Sequence, residues 1–137
     1  MRVILDTNVF VSGVFFSGPP YRILEAWRGG KLQLVASQEI LEEYRRVGET
    51  LAAQFPGVNL HPIIDLVTTN AEIFPNQALP QSVCEDPEDD KFIACALASR
   101  CRVIVSGDRH LLKVSGFGDI KVMSPRQFID KYLSKRG

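Results

Sequence analysis

Apolar positions along the chain follow two rhythms. Short, nearly unbroken apolar runs at 2–5, 32–36, 102–105 and 120–123 predict strands buried on both faces, and 71–74 predicts a shorter one. Between them, apolar residues recur at helical spacing. A helix is predicted to start at Thr7, and another covers 21–28 through Ile23, Leu24 and Trp27, with Gly29-Gly30 as its stop. A long helix capped by Ser37 runs to about Gln54, where Pro56-Gly57 breaks it. Further helices are predicted over 60–69, 88–99, 109–113 and 125–134, with a proline-punctuated loop at 75–87. Strands alternating with helices predict a parallel sheet covered on both faces, the doubly wound α/β class.

Composition adds bounds to this picture. A chain of 137 residues with 45% hydrophobic and 23% charged content suits one globular domain over 1–137. Lys plus Arg and Asp plus Glu number 16 each, so net charge alone gives no grip on nucleic acid. It leaves room for a nucleic acid held by metal ions and a local patch. No run of ~18 apolar residues predicts a membrane span, and no signal-peptide pattern is visible. The cysteines Cys84, Cys95 and Cys101 are odd in number and follow no metal or disulfide spacing, which points to a reducing cytoplasm.

Chemistry is expected where acids meet strand ends, because sites in open α/β sheets form at the carboxyl edge near a topological switch point. Asp6 ends the first strand and Asp108 follows the 102–105 run through a Ser106-Gly107 turn. Each also suits a helix N-cap. In "CEDPEDDKFIACAL", Asp86 before Pro87 reads as a cap, and Glu88 and Asp89 favour the positive end of the helix dipole. Asp90 lies one step further in, about 60° from Ile93 and about 20° from Leu97 on a helical wheel, beside the buried stripe. In "SQEILEEYRRV", Glu42 falls on the wet face and Glu43 only about 60° from Ile40, where a carboxylate needs a cationic partner or a metal ion.

These segments resemble the PIN-domain nucleases and, within them, the VapC-like toxins of toxin–antitoxin operons. "VILDTNVFVSG" is similar to the family's opening strand and Asp-Thr-Asn. "SQEILEEYRRV" matches the segment that selects Glu43, "DPEDDKFIACALAS" the branch that selects Asp90, and "RVIVSGDRHLL" the motif with Ser106 and Asp108. The crowding of Asp86, Asp89 and Asp90 leaves the third carboxylate open between them, with Asp86 a further candidate ligand. The resemblance implies a three-layer α/β/α fold with a central parallel sheet of about five strands. It also implies a divalent-metal-dependent endoribonuclease, a homodimer, and a cognate antitoxin partner.

Hard carboxylates in one cleft suit one or two Mg²⁺ or Mn²⁺ ions. Asp6, Glu43, Asp90 and Asp108 are the expected catalytic ligands, converging within reach of one ion or an ion pair. Without metal, their repulsion should raise at least one carboxyl pKa. Asn8 and Ser106 are expected to aim Asp6 and Asp108, and Arg109 is a candidate phosphate contact. Two other readings compete. One is a metal-dependent phosphatase with Asp6 as nucleophile, against which Asn8 stands where a second acid is needed. The other is a PIN-like module that binds RNA or protein without cutting.

Overall fold

A computed structural model describes residues 1–133. Five strands, β1 (Arg2–Leu5), β2 (Gln33–Ser37), β3 (Glu72–Phe74), β4 (Val103–Val105) and β5 (Lys121–Met123), form one sheet in the order β3-β2-β1-β4-β5. Every pairing is parallel. The helices are α1 (Thr7–Phe15), α2 (Pro19–Arg28), α3 (Gln38–Ala52), α4 (Leu60–Asn70), α5 (Asp90–Ser99), α6 (Arg109–Leu112) and α7 (Pro125–Phe128). They flank the sheet in the three-layer α/β/α arrangement of a PIN-like fold. No helix among the described residues is long and apolar enough to cross a membrane.

The elements fall close to their predicted spans, and the shifts have local causes. Pro19 at the first helical position starts α2 two residues ahead of Tyr21. The helix predicted from Glu88 opens instead as a 3₁₀ turn over Pro87–Asp89, and regular α5 begins at Asp90. After α7 the chain continues as a π turn over Ile129–Leu133. Ser134, the predicted end of that helix, lies outside the described residues.

Strand order places the functional edge. From β1 the chain steps outward to β2 and β3, then crosses back to the far side of β1 to form β4 and β5. The switch point therefore lies between the carboxyl ends of β1 and β4. Two backbone bonds carry the ladder one residue past the strands. The Asp6 N–H donates to the Val105 carbonyl at 3.0 Å, and the Ser106 N–H to the Met123 carbonyl at 2.9 Å. Both residues are thereby held as rigidly as the sheet.

Beneath this edge, the buried Tyr44 of α3 ties three elements together. Its hydroxyl donates to the Leu5 carbonyl at 2.5 Å, and its ring stacks on Phe10 of α1 at 4.2 Å. Val3, Ile4, Leu5, Ile104 and Val105 are all fully buried, as strands covered on both faces require.

Close approach of α1 and α2 depends on Gly13. A Cβ at that position would sit 2.8 Å from the Pro20 carbonyl oxygen and 2.7 Å from Leu24 Cδ1. Gly13→Ala should therefore lower stability in chemical denaturation by about 1–3 kcal/mol, although alanine is the better helix former. Gly57→Ala, where nothing lies within 4 Å of the new Cβ, should shift stability by less than about 0.5 kcal/mol.

Candidate active site

Caps build the site. Asp6 Oδ1 accepts from the Val9 N–H at 2.8 Å and starts α1. Asp108 Oδ1 accepts from the His110 N–H at 2.8 Å and starts α6. Asp86 accepts from the Glu88 N–H at 3.0 Å ahead of Pro87. Capping and a role in chemistry are thus compatible here. The cap bonds use one oxygen and fix the carboxylate's direction, which leaves the second oxygen to be directed by the surroundings.

The second oxygen of Asp6 accepts from the Ser106 hydroxyl, and Ser106 Oγ in turn accepts from the Asp108 N–H at 2.9 Å. One fully buried serine thus links the ends of β1 and β4. Asn8 lies exposed on the first turn of α1. The steering expected of it is supplied by Ser106 and the Val9 N–H, and its neighbour Thr7 donates to Glu43. Arg109 is exposed at the start of α6.

Of the three crowded acids, Asp89 faces the site. Its Oδ2 is buried with no protein hydrogen-bond partner, and the Asp108 carboxyl stands against it. Burial, then the charge and contact of Asp108, then Asp86 and Asp6, push the Asp89 carboxyl up to about 7. Asp6 is raised as well, chiefly by burial, against the lowering hydrogen bonds of Ser106 and Val9. Asp108 and Glu43 add their charges to that rise.

Asp90 turns away from this group. Its carboxylate accepts from Ser82 Oγ at 2.6 Å and from the Val83 and Cys84 N–H groups at 3.1 and 2.8 Å. Burial alone would raise its pKa, but those bonds outweigh it and hold the carboxyl below its usual value. Asp90 anchors the loop ahead of α5. The wheel that favoured it used Leu97 as a buried reference, and Leu97 is 42% exposed. Asp89 itself lies in the 3₁₀ turn, where a regular wheel does not give its direction.

Glu43 stands at the edge of the group. Thr7 donates to its Oε1, and the Lys91 ammonium lies 3.1 Å from its Oε2. Lys91 also donates to the Glu88 carbonyl at 2.8 Å. Burial would lower the Lys91 pKa, but its bonds to Glu43 and Glu88 raise it, so the ammonium is kept. Lys91 had no place in the predicted constellation. Asp6 and Asp108 come together, Glu43 flanks them with its own cation, and Asp90 lies outside. Among the described residues no three His, Cys, Asp or Glu side chains are close enough to hold one ion as they stand. The expected convergence of all four acids is thus not met.

The donors still fit a hard divalent cation. Asp89 Oδ2 is a buried oxygen lacking a donor, beside a second carboxyl and the buried Asp6. Mg²⁺ is commonly held by one or two carboxylates and several waters rather than a closed protein cage.

Because the folded chain keeps a proton on Asp89 up to about pH 7 while the unfolded chain loses it near the ordinary value of 3.8, this group's contribution to stability falls as pH rises between the two. Asp89→Asn mimics the protonated form. It should raise stability at pH 8 by roughly 1–2 kcal/mol, since solvent screens a half-buried group, and change it little at pH 4. Thermal melts of both proteins at the two pH values, without metal, check this.

A family model described as PIN domain matches residues 2–110. An uncharacterized protein of Methanocaldococcus jannaschii is similar to the chain, with 28% identity over 144 residues, covering 96% of this chain and 92% of its own length. The matched span runs from β1 into α6 and so covers the switch point.

Proposed function

Since the chain belongs to the PIN-domain family, whose members are in general metal-dependent nucleases, we propose that it is a divalent-metal-dependent endoribonuclease and the toxin of a toxin–antitoxin pair. The observation that carries the nuclease reading is the Asp89–Asp108 carboxyl pair set against the buried Asp6 at the switch point. RNA substrates and antitoxin partners are common in the family, which supports the finer reading. The proposal takes residues 1–137 as one PIN domain acting as a cytoplasmic homodimer. The buried free thiols of Cys84, Cys95 and Cys101 suit a reducing compartment.

In this reading Asp6, Asp89 and Asp108 hold Mg²⁺ or Mn²⁺, directly or through water. When bound, the ion supplies charge neutralisation at the phosphate and a more acidic water. Ser106 fixes the Asp6 carboxylate and, through the Asp108 N–H, the backbone that carries Asp108, while the His110 N–H directs the Asp108 carboxylate. The proton on Asp89 leaves before its Oδ2 can serve as a ligand, which ties metal affinity to pH. Glu43, fixed by Thr7 and Lys91, can still accept a hydrogen bond from the attacking water through a remaining lone pair and so orient it. Asp86 stays a cap and Asp90 a loop anchor. Arg109, exposed beside Asp108, is the proposed phosphate contact.

The test is cleavage of tRNA, rRNA and mRNA panels by the purified chain. Activity should vanish with EDTA and return with Mg²⁺ or Mn²⁺. Asp6→Asn and Asp89→Asn should each lower the rate ~10²-fold or more. Asp90→Asn should act mainly through stability, costing about 1–3 kcal/mol as its loop bonds weaken. No metal-stimulated cleavage of any RNA class would sink the reading.

A further inference from the structure

The carboxyl edge of the sheet is unevenly charged. On one side of β1, the segments that leave β2 and β3, residues 38–46 and 75–91, carry eight acids and three bases. Those bases are engaged, Arg45 with Glu42 at 2.5 Å, Arg46 with Glu43 at 3.7 Å and Lys91 with Glu43 at 3.1 Å. A run of phosphates laid over that side would meet a surplus of carboxylates. On the other side, the segments that leave β4 and β5, residues 106–115 and 124–128, carry one acid, Asp108, and three bases, Arg109, Lys113 and Arg126. Lys113 is paired with Glu85 at 3.4 Å. Arg109 and Arg126 are exposed, and neither forms an ion pair with another described residue.

Sheet register brings Arg126 to this edge. Val105 of β4 pairs with Met123 of β5, and the Ser106 N–H donates to the Met123 carbonyl at 2.9 Å. Ser124 therefore follows β5 at the level at which Ser106 follows β4. Arg126 stands two residues beyond Ser124, and Arg109 three beyond Ser106. The turn under Arg126 is fixed. Ser124 Oγ accepts from the Gln127 N–H at 3.1 Å, Gln127 Oε1 accepts from the Ser124 N–H at 2.9 Å, and Pro125 restricts the backbone between them.

We propose that Arg126, together with Arg109, binds the phosphate backbone of single-stranded RNA, which crosses the carboxyl ends of β4 and β5 to reach Asp6 and Asp108. This rests on the nuclease reading of the same site. Each guanidinium offers paired N–H donors to phosphate oxygens. Without an acid partner, neither arginine gives up an ion pair when the strand arrives. Such contacts fix where the strand lies and carry no base preference. They also release counterions from the RNA, so binding weakens with salt in proportion to the phosphates engaged.

Fluorescence anisotropy of labelled single-stranded RNA with the full chain tests this, in EDTA and over roughly 50 to 200 mM KCl. The slope of log affinity against log salt should shrink by about 0.7 in Arg126→Gln, and by about 0.7 more when Arg109→Gln is added, equally for unrelated RNA sequences. Arg126→Lys keeps the charge and should keep the slope. Arg22→Gln removes the same charge from the hollow beside Met1 and Lys31, at the amino edge of the sheet, and should leave the slope as in wild type. Arg45→Gln, on the acidic side, should also leave it. An unchanged slope in Arg126→Gln, an equal loss in Arg22→Gln or Arg45→Gln, or no salt-dependent binding by wild type would overturn the proposal, whether or not the chain cuts RNA. The expected slopes without cleavage in Mg²⁺ or Mn²⁺ would keep the RNA path and remove the nuclease reading.

Discussion

Burying the Asp6 carboxylate among the ends of parallel strands costs several kcal/mol unless hydrogen-bond donors replace the lost water. Much of the fold near the switch point answers that cost. The Val9 N–H and the Ser106 hydroxyl replace two water contacts, and the sheet ladder extends through Asp6 and Ser106 to hold them in register. Tyr44 fixes the strand end from below through the Leu5 carbonyl. An acid that served only to start α1 would need the Val9 bond alone. The further bond from β4 makes sense for a carboxylate that must hold its direction.

The remaining charges are arranged around this fixed point. Asp108 is tied to Asp6 through one serine, and burial together with the neighbouring Asp108 carboxyl pushes the Asp89 carboxyl up to about 7. Glu43 is balanced by Lys91, while Asp90 is drawn off to the loop at 82–84. The outcome is a site divided into a part short of positive charge and a part already supplied with it. Such a division suits a reaction in which one group must gather a cation and another must keep a fixed direction.

Much of this was legible in the sequence. Continuous apolar runs gave β1 and β4 because strands buried on both faces need no alternation, and the order of elements implied a parallel sheet. Asp6 and Asp108 stood out because each follows a buried strand, Asp108 after a two-residue turn, and the N-cap reading of both holds as well. Asp89 was obscured because a helix dipole already accounted for an acid in a first turn, and because a 3₁₀ start breaks the angular bookkeeping of a regular helix. Thr7 and Lys91 were obscured for another reason. Their roles depend on contacts 36 and 48 residues away in sequence, across the α1–α3 and α3–α5 packings, which no local pattern encodes.

The central claim is that Asp6, Asp89 and Asp108 form the cation site. A crystal structure with Mn²⁺, using its anomalous scattering to locate the ion, addresses that claim most directly. A single anomalous peak bounded by Asp6, Asp89 and Asp108, with Asp90 still on Ser82 and the loop N–H groups, is the predicted result. A peak on Asp90, or one remote from Asp6, would contradict it.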